Sequence, residues 1–223
     1  MNELEFKYYN IEQEISRWII DHNSFQLFFT YRDSRPIGEY KKYRQTDQLG
    51  EGTRHREKLT KKVMSIFKQV YGIKGKITKD SELFYYCVNE SGVSKKEKSV
   101  QKDRGHNHLL IGFKPSSKWY YKPTERIKDF ENYLKGKPVD CLKRKNGSEF
   151  KTEGKFKWLD ICTSLGNKGE VYPIKDKILV ADYLAKIEKG TISHSPFFKQ
   201  PFFGGDILLP DRKDLPLSVL DAA

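Results

Sequence analysis

Cysteine is scarce in this sequence. The 223 residues include three cysteines, Cys87, Cys141 and Cys162, and they are widely spaced. Three such cysteines form neither a disulfide framework nor a zinc signature. The sequence therefore excludes a small domain held together by disulfides, and it favours a reducing compartment.

Long apolar runs are also missing. The most apolar stretches are FQLFF and HLLIGF, and both are far shorter than the roughly 20 residues that a membrane-spanning helix needs. The first ten residues, MNELEFKYYN, are polar and partly acidic, unlike a signal peptide. We therefore expect a soluble cytoplasmic protein that has no membrane partner.

Acidic residues are outnumbered by basic ones. The chain has 42 Lys and Arg against 30 Asp and Glu, which gives a formal net charge of +12 and a pI near 9.4. With 37% hydrophobic and 13% aromatic residues, the chain can bury a core. The surplus of positive charge favours a polyanionic partner, with nucleic acid as the first candidate. A basic surface that is merely solvated is the alternative.

Hydrophobic periodicity predicts the secondary structure. Helical spacing indicates helices near 11–22, 52–71, 124–135 and 175–189, with Thr124 as the N-cap of the third. Runs of aromatic and β-branched residues indicate strands near 25–31, 82–90, 106–113 and 155–165. This order predicts an α+β fold: an antiparallel sheet of about five strands with helices packed mainly on one face, RRM-like or ferredoxin-like.

Three segments make up the expected organisation. Residues 1–24 form an N-terminal helical extension, and residues 25–192 form the main domain. Residues 193–223 are interrupted by proline and glycine and are expected to pack as an extension that has no core of its own.

The decapeptide RGHNHLLIGF, residues 104–113, contains two histidines two positions apart. In a strand, His106 and His108 project from the same face and can converge on one divalent ion, while Asn107 points to the other face. Such a site needs an open, solvent-facing sheet surface. Glu90 ends the preceding predicted strand, but strand parity alone does not settle which face it takes.

Two other interpretations of this decapeptide compete with a metal site. A pair of this kind also arises by chance. The letters HNH name a nuclease motif too, but there they denote residues spread over a hairpin and a helix. A contiguous tripeptide does not match that motif.

These features together resemble the HUH endonucleases, in particular the single-tyrosine initiators of rolling-circle replication. FQLFFTYRD resembles the family's first motif, His106-Asn107-His108 its second, and Tyr183 with Lys186 the Tyr-x-x-Lys of its third. The resemblance spans roughly residues 25–190 in the family's order, which makes 25–192 the nuclease domain. Asn107 departs from the pattern, because the family usually has an apolar residue there.

Tyr-x-x-Lys occurs three times in the chain. Tyr71 ends a predicted helix, and Tyr172 precedes Pro173, which disfavours a regular helix at that point. Tyr183 alone lies within a predicted helix, where a residue three positions on shares its face. Tyr183 is therefore the preferred candidate, and packing in the core is the alternative role for it.

The resemblance implies metal-dependent nicking of single-stranded DNA by transesterification. His106, His108 and Glu90 would hold Mg²⁺ or Mn²⁺, with Glu82, Asp103 and His194 as other possible ligands. Tyr183 would attack the phosphate, and Lys186 would favour its phenolate. The products are a 5′-phosphotyrosine and a free 3′-hydroxyl, and the reverse reaction joins strands.

The resemblance also implies partners. These are single-stranded or hairpin origin DNA, host replication proteins such as a helicase and a polymerase, and possibly a second copy of the chain. Phosphate contacts are expected from basic side chains, and base stacking from aromatic ones. The candidates are Arg54, Arg56, Lys58, Lys61, Lys62 and Arg104 for phosphates, and Tyr31, Tyr85 and Trp119 for stacking.

Other functions remain open on the sequence. A transposase or a mobilisation relaxase of the same superfamily would use similar motifs. A non-catalytic nucleic-acid binder on an RRM-like sheet is the alternative from another class, although no RNP-type aromatic motif is present.

Overall fold

A computed structural model of the chain describes residues 14–33, 51–90, 106–142, 159–162, 170–185 and 202–214. It contains four helices: α1 at 14–22, α2 at Glu51–Tyr71, α3 at Ile127–Leu134 and α4 at Lys177–Ala185. The strands are β1 Leu27–Asp33, β2 Leu83–Glu90, β3 His106–Phe113, β4 Leu159–Cys162, β5 Tyr172–Pro173 and β6 Phe202–Gly204.

All strand pairs in the sheet are antiparallel. The order across the sheet is β4-β1-β3-β2-β6. β5 also pairs with β1, at Leu27 and Phe28, whereas β4 pairs with residues 30–33. β4 and β5 therefore lie end to end along the same edge of β1, so the six segments fill five positions. The predicted α+β class and antiparallel sheet of about five strands are confirmed.

The larger hydrophobic core lies between one face of the sheet and the helices α2 and α3. Alternate residues of the three central strands point to this face, among them Phe29 and Phe113. They meet Phe67 of α2 and Phe130 of α3, whose rings have their centroids 5.2 Å apart. As predicted, Leu109, Ile111 and Phe113 belong to this core.

A smaller core lies on the opposite face. There α1 and α4 cover the residues of the other parity, including Phe28, Tyr86 and Leu110. The buried Ser16 hydroxyl of α1 is 2.8 Å from the Tyr86 hydroxyl and shares a hydrogen bond with it. Helices α1 and α4 therefore close this face, while α2 and α3 lie on the other. The expectation that helices pack mainly on one face is not met, because helices cover both faces.

Gly112 allows an aromatic side chain to lie across β3. Phe84 is directly opposite on β2, and a Cβ atom on Gly112 would come within 2.4 Å of the Phe84 ring. Any side chain at position 112 would displace that ring from the smaller core. Glycine is required at position 112 because there is no room for a Cβ atom beside the Phe84 ring.

The tail adds an edge strand. β6 pairs with β2 through residues 85–87. Further along, the Asn23 side chain donates to the Leu208 carbonyl at 3.0 Å and accepts from the Leu208 amide at 2.9 Å. The described part of residues 193–223 is therefore attached to the sheet and to the end of α1.

Two details of the predicted secondary structure need correction. Thr124 is not an N-cap: α3 begins at Ile127, and the cap position, Arg126, makes no side-chain capping bond. The segment before it instead forms successive turns, such as Lys122 N–H to Trp119 O at 3.1 Å. The short strands β5 and β6 were not predicted, because two or three residues carry no periodic signal. None of the helices in the described ranges combines the length and apolarity that crossing a membrane requires.

Candidate functional site

His108 lies in the middle of the sheet, on the face that α1 and α4 cover. Its side chain is 1% exposed. Its Nδ1 atom is 2.7 Å from Oγ1 of Thr30, directly opposite on β1, and its ring stacks on Phe28 with centroids 5.8 Å apart. Because the hydrogen bond and the stacking fix the ring, His108 has one orientation.

Tyr183 is the aromatic residue that α4 places against this histidine. The two ring centroids are 5.3 Å apart and the ring planes are at 83°, and Tyr183 also contacts Phe28 edge-on at 6.2 Å. The Tyr183 side chain is only partly buried. The structure thus brings together two of the predicted site residues, which are far apart in the sequence.

Contacts to α1 hold α4 in place. Asp182, next to Tyr183, lies 3.4 Å from the Arg17 guanidinium, and the Lys177 ammonium donates to the Asp21 carbonyl at 2.9 Å. Val180, Ala181 and Leu184 are buried against the sheet. The helix is therefore fixed by apolar packing on one side and by polar contacts to α1 on another.

The strand register resolves the position of Glu90. Glu90 is directly opposite His106, and Val88 is directly opposite His108. Opposed positions of an antiparallel pair share a face, and Val88 belongs to the smaller core. Positions 90 and 106 are therefore assigned to the His108 face. The side chains of Glu90 and His106 lie outside the described part of the structure.

The prediction that the His108 face of the sheet is open to solvent is wrong. His108 is buried beneath the Tyr183-bearing helix, because α1 and α4 both dock on this face. In the described part of the chain, the approach to His108 from directly above the sheet is closed.

The other two Tyr-x-x-Lys tyrosines have different surroundings. Tyr71 is buried in the larger core, its hydroxyl donates to the Pro123 carbonyl at 2.5 Å, and burial raises its pKa. Tyr172 lies in β5 rather than in a helix, which agrees with its position before Pro173, and its ring is 5.2 Å edge-on from Phe28. Among these three tyrosines, Tyr183 is the one for which the structure shows both a position inside a helix and a contact with His108.

One alternative metal ligand, Glu82, is wrong. Glu82 lies just before β2, and Glu90 lies at the other end of that strand, eight residues later. At the usual rise of a strand, the two residues are about 26 Å apart. Its carboxylate accepts a hydrogen bond from the Ser117 hydroxyl at 2.7 Å.

The other two alternative ligands, Asp103 and His194, lie outside the described residues. Within those residues, no cluster of three or more His, Cys, Asp or Glu side chains could hold a metal ion; of the three predicted ligands, only His108 has a described side chain.

The basic helix α2 lies on the face remote from His108, with its N-terminal end towards the start of β3. Thr60 contacts the Tyr31 hydroxyl at 2.7 Å, and Tyr31 is opposite Asn107. Tyr71 instead contacts Phe113, at the other end of β3. The backbone before Thr60 therefore extends towards the end at which Glu90 and His106 pair.

The predicted phosphate-binding residues differ in what the structure shows of them. The side chains of Lys58, Lys61 and Lys62 are exposed, and those of Arg54 and Arg56 are not described. Arg104 lies outside the described residues, as does the catalytic candidate Lys186.

The predicted stacking residues are wrong. Tyr31, Tyr85 and Trp119 are all buried in the larger core. Tyr31 and Tyr85 share the strand parity of residues that face α2, and the Trp119 indole N–H donates to the Tyr71 carbonyl at 3.0 Å. The exposed aromatic that sequence reasoning missed is Tyr121, which is 86% exposed; a loop position gives no periodic signal for exposure.

Asn107 is buried on the opposite side of β3 from His108. Within the described residues, its Oδ1 atom has no hydrogen-bond partner. Within that part of the chain, Oδ1 therefore does not bind a helix to the sheet. Burying such an acceptor costs roughly 1–3 kcal/mol.

Comparison of the chain with protein-family models, with curated proteins and with solved structures gave no match. A function for this chain therefore has to be inferred from its own residues and from the geometry of the site.

Proposed function

We propose that this protein is a metal-dependent, single-strand DNA nickase of the HUH type that acts as a replication initiator. Tyr183 is the proposed nucleophile. The observation that carries the proposal is the contact between the Tyr183 and His108 rings, at 5.3 Å. The helical context predicted from the sequence and the contact with His108 in the structure both favour Tyr183 among the three candidates.

The chemistry of the donor set fits a divalent metal ion. When Nδ1 of His108 carries the ring proton, it donates to Thr30, and a neutral imidazole in that tautomer binds metal ions through Nε2. His106 and Glu90 would complete the set, since the register pairs them on neighbouring strands. Bound Mg²⁺ or Mn²⁺ would polarise the scissile phosphate and offset the charge of the transition state.

The reaction exchanges one phosphodiester bond for another. The Tyr183 oxygen bonds to phosphorus as the bond to the 3′ oxygen breaks, and the proton lost by the phenol balances the one gained by the 3′ oxygen. A phenol of ordinary pKa, near 10, is mostly protonated at neutral pH, and the proposed task of Lys186 is to favour the phenolate. Since the bond types are conserved, the same residues can rejoin the strand.

Burial of His108 sets the direction from which DNA would arrive. With the face above His108 covered by α1 and α4, the strand would approach from the end of the sheet at which Glu90 and His106 pair. The N-terminal part of α2 extends towards that end and carries Arg54, Arg56 and Lys58. These residues would bind phosphates of the approaching strand. Hairpin origin DNA, a host helicase and polymerase, and a second copy of the chain are the proposed partners.

Detection of a covalent protein–DNA adduct tests the proposal. Wild-type protein and Tyr183→Phe are incubated with single-stranded and hairpin DNA from the replicon, with Mn²⁺ or with EDTA. We expect an adduct that resists denaturation in the wild type with Mn²⁺, and none with EDTA or in Tyr183→Phe.

Tyr172→Phe is the matched control, because it also removes a hydroxyl from a tyrosine that contacts Phe28 on the same face. This variant should form the adduct at the wild-type rate. An adduct that persists in Tyr183→Phe but disappears in Tyr172→Phe would move the nucleophile to Tyr172. DNA binding with no adduct on any of these substrates would contradict the nickase and favour a non-catalytic binder.

A further inference from the structure

Two loops pack together at the end of the sheet remote from His106. Residues 72–82 connect α2 to β2, and residues 114–126 connect β3 to α3. The Lys114 amide donates to the Glu82 carbonyl at 2.8 Å, and the Ser117 hydroxyl donates to the Glu82 carboxylate. These contacts make one continuous surface, which we call the Tyr121 surface. Its exposed members are Lys74, Lys76, Lys79, Lys118, Tyr121 and Lys122.

Tyr121 is held in an exposed position by a fixed backbone. The residue before it, Tyr120, receives a hydrogen bond on its carbonyl from the Gln26 side chain at 2.7 Å, and its own amide donates to the Ser117 carbonyl. Trp119 is buried and anchors the loop to α2. Because its neighbours are fixed, Tyr121 is held at the surface, where its ring lies edge-on to the Tyr120 ring with centroids 5.0 Å apart. The ring, 86% exposed, is available without rearrangement.

Basic residues outnumber acidic ones on this surface. The two loops carry Lys74, Lys76, Lys79, Lys114, Lys118, Lys122 and Arg126 against Asp80, Glu82 and Glu125. Three of these cations lie in ion pairs, Lys114 with Asp206, Lys122 with Glu125 and Arg126 with Asp129. The exposed lysines outside these three pairs are Lys74, Lys76, Lys79 and Lys118. The Lys118 ammonium lies 4.7 Å from the centroid of the Trp119 ring, which places a cation on the loop that carries Tyr121, three residues before it in the sequence. The surface therefore combines a rigid exposed aromatic with an excess of cations.

We infer that the Tyr121 surface is a second binding site, for single-stranded nucleic acid. An exposed aromatic can stack on an unpaired base of any identity, and lysines around it can contact phosphates without reading sequence. A duplex offers no unpaired base to the ring. The charge and the aromatic side chain together fit a single strand better than a duplex.

This site is distinct from the candidate catalytic site. β3 runs from His106 to Phe113, so the two ends of the sheet are separated by about 23 Å at the usual rise of a strand. The inference does not rest on the proposed nickase. A strand bound at both sites would extend from one end of the sheet to the other.

Fluorescence anisotropy with a labelled oligothymidine of 20 nucleotides, in EDTA, tests the inference without any cleavage. We expect Tyr121→Ala to weaken binding roughly fivefold or more, the lower limit of a lost stacking contact. Tyr121→Phe keeps the ring and should bind like the wild type. Lys118→Gln should flatten the dependence of log K on log salt by ~0.7, as for one lost phosphate contact.

Phe203→Ala and Lys213→Gln are the matched controls. Phe203 is an aromatic 48% exposed on the edge strand β6, and Lys213 is an exposed lysine of the tail; both variants should bind like the wild type. Thermal unfolding of Tyr121→Ala at the wild-type temperature would show that the fold is intact.

Three results would overturn the inference. One is Tyr121→Ala binding the oligothymidine as tightly as the wild type, and another is a wild type that does not bind it in EDTA. The third is a stronger Tyr121 dependence with a DNA duplex, or with vesicles of anionic phospholipid, than with the single strand. That third result would assign the surface to a duplex or to a lipid headgroup instead.

Discussion

The two faces of the sheet bury different sets of side chains. The face under α2 and α3 carries the larger core, with Phe29, Phe67, Phe113 and Phe130 packed ring against ring. The face under α1 and α4 carries the smaller core, and within it lie the polar side chains of Thr30 and His108 and the partly buried Tyr183. Both faces are covered by helices, so exposure does not distinguish them.

What distinguishes the faces is how their polar groups are arranged. The larger-core face has a buried group of three neutral polar side chains. The Tyr31 hydroxyl, the Thr60 hydroxyl and the Cys87 thiol contact one another there. On the other face, Thr30 orients a histidine, and the histidine contacts a tyrosine that solvent still reaches. Stability and the proposed chemistry therefore separate by strand parity, and four predictions test that separation.

The largest effect is expected from Phe67→Ala in the larger core. Phe67 is fully buried between Tyr71, Phe113 and Phe130, and removing such a ring costs about 3–5 kcal/mol of the free energy of unfolding. Urea denaturation measures this loss. A change below about 1 kcal/mol would show that the larger core does not carry most of the stability.

Alkaline pH should destabilise the fold through Cys87. Burial raises the pKa of its thiol from 9.0 to about 11, so the unfolded chain loses this proton first. The contribution is fully present below pH 9 and is lost as the pH rises towards 11, for a total of about 2–3 kcal/mol. Burial also raises the pKa of Tyr31, which acts in the same direction at higher pH.

Urea unfolding at a series of pH values between 8 and 11 measures this loss, with Cys87→Ala as the control. The variant is expected to be less stable at pH 8 but to have a flatter alkaline profile. Equal slopes for the two proteins would contradict the role of the buried thiol.

Thr30→Val should affect the His108 face. The substitution leaves His108 Nδ1 without its partner, at a cost of roughly 1–3 kcal/mol in the free energy of unfolding. If His108 binds metal, loss of this orienting bond should also raise the Mn²⁺ concentration needed for adduct formation about 10–100-fold.

Thr30→Ser keeps the hydroxyl and should restore the Mn²⁺ dependence. Titrations of adduct formation with Mn²⁺ compare the three proteins. Loss of stability in Thr30→Val with an unchanged Mn²⁺ requirement would limit Thr30 to a structural role.

The smallest effect is expected from Asn107→Leu. Since Asn107 Oδ1 is buried without a partner in the described part of the structure, an apolar side chain of similar size should leave the protein as stable or up to about 1 kcal/mol more stable. Thermal or urea unfolding measures it. A loss above about 1 kcal/mol would show that the asparagine makes a stabilising contact after all.

Much of this fold could be predicted from the sequence, because its main elements are long and periodic. The apolar runs in LFYYCVNE and HNHLLIGF predicted two central strands, and the apolar face of α2 predicted the longest helix. The covering of the His108 face could not be predicted, since helix docking depends on tertiary contacts such as the one between Arg17 and Asp182. Local pattern does not contain those contacts.

The candidate site was only partly accessible to sequence reasoning. The motif resemblance indicated His108 and the predicted helix favoured Tyr183, and the structure places the two in contact. The pairing of Glu90 with His106 needed the register of β2 and β3, which a long connection between two strands leaves undetermined. Tyr31 and Tyr85 were misassigned, although apolar residues of both parities on these strands, such as Phe28 and Phe29, already indicated that both faces are buried.

Identification of the modified residue tests the central claim most directly. Wild-type protein is reacted with a labelled origin oligonucleotide and Mn²⁺, digested with nuclease and protease, and its peptides are analysed by mass spectrometry. The account predicts a nucleotide phosphate on the peptide that contains Tyr183. A nucleotide on the peptide that contains Tyr172 or Tyr71, or on none, would contradict it.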